Sequence, residues 1–315
     1  MQRPRIRTFS VDCREHYSQA VGKIPLDLGI PCPNRTQGGC LYCRPASFTP
    51  FSLRATDALA EQIRRGKEHL LKGRFHQYFG YFQQETSTAL PTAELTPHLL
   101  QVLDDPDCLG LILSTRPDAV AADLPPALAQ VVQQSGKECL IELGLQSIHA
   151  RSLRLLNRNH SYADFLDAVA RLSGVDGLHL GAHLILGIPG ESAADMLATV
   201  RAVCALPIQA LKLHHLQVIR DTPLHRLHAR DPIPLFTLPG YLELLLRLLP
   251  NIPGDITLHR LWSTAHPQLL VGPQWGCLTG ELSARLRRMM AEQGIWQGQA
   301  VEAASGSAEE GAQQG

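Results

Sequence analysis

Three of the chain's 8 cysteines, Cys32, Cys40 and Cys43, fall within the single stretch CPNRTQGGCLYC. Its Pro, Asn and Gly content predicts a loop, not the interior of a helix or strand. Three thiols cannot pair among themselves, and in a reducing compartment clustered thiols read as metal ligands or redox groups before disulfides. Two metal chemistries fit. A structural zinc would need a fourth ligand, for which Cys13 or His16 is available. An iron–sulfur cluster held by three thiolates leaves one iron without a protein ligand, free to bind something else. Cys108, Cys139 and Cys204 lie in apolar contexts and are expected in the core. His214 and His215 are adjacent on a strand-like run and so face opposite sides, which rules them out as a ligand pair. Whichever points inward is a candidate substrate contact, as are His259 and Arg260.

The elements that must carry these residues alternate in type. Strand-like apolar runs (23–30, 75–82, 108–115, 138–147, 178–188 and 210–219) are separated by helical patterns (53–73, 93–105, 124–137, 150–173 and 192–206), with another near 240–249. The strands are continuously apolar, as strands covered on both faces should be. Six β→α units in succession predict an α/β fold with a parallel sheet and right-handed crossovers. That number suits a partial (β/α)6 TIM-type barrel, with 21–250 as its core. Residues 251–296 read as a short C-terminal extension of one strand (256–264) and one helix (281–293). Residues 1–20 read as a basic N-terminal arm, and 297–315, small and polar, as a disordered tail. In such folds the loops after the strands share one rim where chemistry collects. The thiol loop lies on that rim, along with QQETST, STRPD, ELGLQS and GIPGE.

Hydrophobic content of 44% and charged content of 18% suit a soluble protein of enzyme size. The start MQRPRIRTFSVD lacks the apolar stretch of a signal peptide. The leucine-rich YLELLLRLLP is far below the ~20 apolar residues a membrane span needs, so a cytoplasmic protein is expected. Net charge is +0, yet residues 1–80 hold 13 Lys/Arg against 6 Asp/Glu. That basic front end, with Arg3, Arg5 and Arg7 at its tip, suits a polyanionic partner or an uneven solvated surface.

In order along the chain stand KIPLDLGIPCPNR, GGCLYC, STRPD, ELGLQS, LLNRNHS, LILGIPGE and LKLHHLQVIRDTPL. With these motifs the chain resembles the radical S-adenosylmethionine (SAM) superfamily. Within it, the chain is similar to the YhcC-like subgroup related to the Elongator catalytic subunit and oxygen-independent coproporphyrinogen oxidase. The first cysteine gap is longer than the common C-x3-C-x2-C spacing, as in that subgroup. The resemblance implies a [4Fe–4S] cluster on Cys32, Cys40 and Cys43, and SAM as co-substrate, cleaved to a 5′-deoxyadenosyl radical that abstracts hydrogen. It implies that Tyr42 approaches the adenine, with the backbone of GIPGE, at Ile188, beside it. Gln84 and Glu85 occupy the place of the Gly-Gly-Glu-like segment at the methionine amino group. Glu142, Gln146 and Arg158 resemble the residues that hold ribose and carboxylate. A tRNA substrate is suggested, as is a flavodoxin- or ferredoxin-type electron donor. A small-molecule or protein substrate stays open. So does a non-catalytic zinc- or cluster-bearing interaction protein.

Overall fold

The computed structural model describes residues 4–304. The apolar runs become β1 (Gly22–Leu26), β2 (Tyr78–Phe82), β3 (Cys108–Thr115), β4 (Glu138–Gln146), β5 (Leu178–Leu186) and β6 (Ala210–His215). They pair in chain order, all parallel. Past β7 (Val218–Ile219), β8 (Thr257–Arg260) joins the sheet beside β6, also parallel. The seven strands curl into a half-barrel, and Lys23 on β1 reaches His259 on β8 at 3.2 Å across the opening. The strand expected in a C-terminal extension is therefore the seventh strand of the barrel. A separate two-stranded antiparallel ribbon joins β7 to β9 (Leu270–Gly272).

Helices α2 (Leu59–Gly66), α3 (Thr92–Leu103), α4 (Leu124–Ser135), α5 (Ala150–Leu155), α6 (Tyr162–Leu172) and α7 (Ala193–Cys204) fill the crossovers. Their apolar stripes join the outer face of the sheet in one core that includes Leu99, Leu128, Phe165 and Val200. After β7 come α8 (Pro223–Arg230), α9 (Leu238–Leu248) and α10 (Thr279–Glu292). α6 and α7 both begin with a capping box, Ser161 with Asp164 and Ser192 with Asp195. Each satisfies orphan N–H groups at the helix start. Among the described residues no helix is long and apolar enough to cross a membrane.

Among the described residues, the segments toward both ends take more regular structure than composition suggested. Phe9–Tyr17 forms α1, which runs under the barrel instead of projecting as an arm. Phe9 packs edge-on against Phe79 and His259, and Thr8 bridges to Leu258 on the outer edge of β8. Gln297, placed by composition in a disordered tail, is 3% exposed. Its Oε1 accepts from Arg7 N at 2.9 Å, and its Nε2 donates to Pro253 O and Ile256 O at 2.8 and 2.7 Å. An amide so buried and so bonded ties the C-terminal segment to the N-terminal one, and residues 299–304 add a turn of helix. Arg3 and residues 305–315 lie outside the described ones.

Candidate active site

Cys32, Cys40 and Cys43 line one cavity of ≈ 220 Å³ at the carboxyl ends of the strands. The loop that carries them is held from several sides. Leu41 N donates to Leu156 O at the end of α5, and Leu224 N at the start of α8 donates to Leu41 O, at 3.0 and 2.9 Å. The NRNHS segment acts as a clasp. Asn157 and Asn159 both adopt left-handed backbone (φ 53°), which Asn tolerates better than most residues. Asn157 Nδ2 donates to Gln37 O and Gly39 O, and Asn159 Nδ2 donates to Asn34 Oδ1 at 2.7 Å. Asn34 in turn donates to Asn157 O at 2.8 Å and to Cys40 Sγ at 3.2 Å. From sequence these asparagines enter only as loop formers and motif members, with no role in bracing the thiols.

The chemistry of the donors suits a cluster, although among the described residues no three such side chains already stand close enough together to hold a metal ion. Cys40 Sγ receives the Asn34 amide and the Arg158 guanidinium (Nη1, 3.3 Å), two donors suited to an anionic sulfur. Although Cys43 as a residue is exposed, loss of water around its thiol, with Cys40 and Glu85 adding to the effect, pushes it up to about 12. A metal would therefore have to displace that proton, and its affinity would fall in acid. The fourth zinc ligand envisaged from sequence is out of reach. Cys13 is buried on α1 among Val21, Phe79 and Leu140, at the amino ends of the strands, opposite the rim. His16, also on α1, faces its own helix at Asp12. Cys108 and Cys139 are buried in the sheet and Cys204 packs against the same core, as expected.

The remaining expected residues come to this rim with different surroundings. Glu85, at φ 53°, accepts from Cys32 N at 3.1 Å and pairs with Arg35, so its carboxylate braces the thiol loop. Gln84 is buried; its Oε1 accepts from Thr49 at 3.2 Å and its Nε2 has no partner. Gln146 lies in the cavity wall at positive φ (78°) with a buried, unpartnered Oε1. Tyr42 packs with Leu156, Ile185 and Ile188, so Ile188 sits behind Tyr42 and does not itself line the cavity.

Arg158 is 6% exposed, in the turn between α5 and α6. Its Nε donates to His160 Nε2 at 3.0 Å, and Nη2 donates to Gly144 O at 2.5 Å. Burial and the nearby guanidinium lower the His160 pKa to about 4, which keeps that ring nitrogen free to accept. A side chain at Gly144 would sit 3.2 Å from Arg158 Nη2, so the glycine makes room for the guanidinium. Arg116, from STRPD, is also buried but keeps Nη1 unpartnered in the same cavity. Together with Thr86 Oγ1 and Gln146 Oε1, this leaves buried donors and acceptors waiting for a polar ligand.

Glu142 sits deeper, at the centre of an ionic network inside the barrel. Its Oε2 accepts from Lys212 Nζ at 2.6 Å and Ser114 Oγ at 2.8 Å, and its Oε1 lies 3.2 Å from His259 Nδ1. Lys212 also donates to the Tyr81 hydroxyl. Burial alone would raise the Glu142 carboxyl, but Lys212, the His259 bond and Lys23 outweigh it and hold the group well below the usual carboxylate range. Burial lowers the Lys23 ammonium to about 7, with Glu142 opposing and Lys212 and Arg260 reinforcing. Both histidines border the cavity, but their rings part: that of His214 lies 4.0 Å from His183 in the interior, while that of His215 packs on Trp275 and Tyr241. The alternation expected of the pair holds. Lys212, one charged residue in the apolar run ALKLHH, was the sequence signal for this network.

The Radical SAM superfamily model matches residues 30–203, and the Radical_SAM C-terminal domain model matches 208–291. The chain is 30% identical over 304 residues to uncharacterized protein YtqA of Bacillus subtilis, covering 93% of this chain and 92% of that one. It is 30% identical over 300 residues to protein YhcC of Escherichia coli, covering 94% and 95%. Among solved structures, the archaeal Methanocaldococcus infernus Elp3 superposes with a TM-score of 0.64 at 16% identity, over 89% of this chain and 64% of that one. Matches of this extent mean that the chain belongs to the radical SAM superfamily, whose members work with a [4Fe–4S] cluster and SAM.

Proposed function

We propose that this chain is a radical SAM enzyme that abstracts a hydrogen atom from a polar substrate inside the half-barrel. The observation that carries the reading is the shared cavity. The thiol loop, the unpartnered Thr86, Arg116 and Gln146, and the interior Tyr81 and Lys212 all line one space. When bound, the cluster and SAM would supply an electron and a 5′-deoxyadenosyl radical. The protein's share is to hold the reactants and exclude water. Cys32, Cys40 and Cys43 would hold the cluster. Arg116, with a free Nη1, is apt for the SAM carboxylate, and Gln146 Oε1 for a ribose hydroxyl or the ammonium. Arg158 would then position Cys40 and Tyr42 in place of the carboxylate role first assigned to it. The test is anaerobic reconstitution with reductant and SAM, followed by assay for 5′-deoxyadenosine and methionine. Their absence from a protein loaded with cluster would overturn the reading.

The two arginines separate cleanly. Arg116→Ala is expected to weaken SAM binding by about 1.5–3 kcal/mol, the range for a lost hydrogen bond to a charged group, with iron content retained. Arg158→Ala is expected to lower iron content as well, because it removes a donor to Cys40 Sγ. Equilibrium dialysis with SAM and iron assay check both. The opposite pattern would return the carboxylate to Arg158.

A tRNA substrate is a second reading, favoured by the exposed face of α8. Arg226 and Arg230 there form no ion pair among the described residues, and the first turn of α8 is bonded to the thiol loop. The basic front end contributes less than its charge suggested. Arg7, Arg35, Arg44, Arg64, Arg65 and Lys67 are all paired with carboxylates. If RNA binds, its affinity should fall steeply with salt through counterion release. Replacing Arg226 and Arg230 together by Ala should flatten that dependence. A filter-binding series on bulk tRNA that shows no binding at low salt removes this reading.

A further inference from the structure

Beneath the thiol loop, the barrel interior holds more positive charge than its carboxylate can balance. Tyr81, Glu142, His183, Lys212, His214 and Arg260 all line the cavity that the cysteines open onto. Adjacent strands bring three of them to one level: in register, His183 pairs with Lys212 and Lys212 pairs with Arg260. Glu142 is already engaged, since Lys212 and Ser114 occupy one oxygen and His259 lies against the other. Arg260 has no carboxylate within ion-pair distance among the described residues. Its Nη1 meets only the neutral face of the site, His214 Nε2 at 3.5 Å. His183 Nε2, buried beside it, has no hydrogen-bond partner. Lys23, its ammonium lowered by burial to about 7, lies beneath them against His259.

A part-buried guanidinium with no carboxylate to balance it and a buried ring nitrogen with no partner are both costly to fold. Elsewhere this chain meets such costs locally: Arg7 has Asp12, Arg65 has Asp57 and Lys67 has Asp105 and Asp107. Among the described residues, Glu142 and the loop-bracing Glu85 are the only carboxylates that line the chamber. An oxyanion entering from the rim would satisfy both groups at once. A planar carboxylate or a tetrahedral phosphate matches the guanidinium fork, and a neutral imidazole can add one N–H.

We propose that this chamber is a receptor for an anionic group, carboxylate or phosphate, held between Arg260 and the His183–His214 pair. That the group belongs to the substrate rests on the radical SAM reading; the anion site itself does not. The receptor would hang the substrate from its charged end and leave its remainder directed toward the thiol rim. Such a site defines the substrate class as small anionic molecules, or anionic groups able to enter a cavity of this size.

The test uses the full chain as purified, with no SAM added, and titrates it calorimetrically with inorganic phosphate, with acetate and with neutral glycerol. Saturable binding of phosphate, acetate or both at one per chain, with none of glycerol, is expected, and the anion that binds identifies the group. Arg260→Gln should weaken that binding at least tenfold, Arg260→Lys less so. In the absence of anions Arg260→Gln should melt no lower than the unsubstituted protein, because it removes a part-buried charge that no carboxylate balances. No saturable anion binding, undiminished binding by Arg260→Gln, or a lower melting point for that variant overturns the proposal. If Arg260→Gln does not fold, its place is taken by His183→Asn, for which unchanged anion affinity is the overturning result. Anion binding without SAM cleavage after reconstitution would sink the radical enzyme reading and leave the receptor standing; cleavage without anion binding would do the reverse.

Discussion

Replacing any one of Cys32, Cys40 and Cys43 by Ala is expected to abolish the cluster and with it all SAM cleavage. A cubane bound at three irons that loses one thiolate keeps too few protein bonds to persist. In the structure all three thiols face one cavity, and no other cysteine lines it, so no substitute ligand is at hand. The unsubstituted protein, reconstituted anaerobically, should carry about four irons per chain. Cys108→Ala and Cys204→Ala should retain that iron, since their thiols pack into the core. Iron and sulfide assays with EPR of the reduced protein make the measurement. Stoichiometric zinc that survives reconstitution, with no cluster signal, would sink the expectation.

Lys212→Met is the substitution expected to cost most stability. It leaves the Glu142 carboxylate buried with its principal counter-charge gone, a loss of about 3–5 kcal/mol for a broken buried pair. Adding Glu142→Leu should recover much of that loss, since the stranded charge disappears with its partner. The pH dependence carries a sign that a simple packing defect would not. In the intact protein the folded-state pKa of Glu142 is depressed, so its stabilisation is present above the unfolded value of about 4.3 and is lost as pH falls through the folded pKa. In Lys212→Met burial dominates and the carboxyl pKa should rise, so protonation relieves the stranded charge. The stability gap between the two proteins should therefore narrow as pH drops from 7 toward 4. Urea denaturation at several pH values measures it; a gap that stays constant would show that Lys212 matters through its packing alone.

The same two regions mark the limits of what one-dimensional information carries. The thiol loop was legible because cluster ligands sit close in sequence and need a loop, and Pro, Asn and Gly announce one. The strands were legible because burial on both faces leaves unbroken apolar runs, visible without any knowledge of their partners. Residues 108–115 and 138–146 became strands almost to the residue. The chain thus declared a parallel half-barrel and the rim on which its chemistry would sit.

The tertiary structure alone decided the occupants of the interior. Glu142 meets Ser114, Lys212 and His259 from three other strands, 28, 70 and 117 residues away in the chain. Only the curl of the sheet brings such positions together, and periodicity says which face a residue takes but not what it faces. The same holds for Arg158, whose polar NRNHS context gives no sign that its guanidinium is buried against Cys40. It holds for Gln297, whose polar neighbours concealed an amide bonded to segments from both ends of the chain. Local composition determined what each segment could form; long-range hydrogen bonds and ion pairs determined what each polar side chain was for.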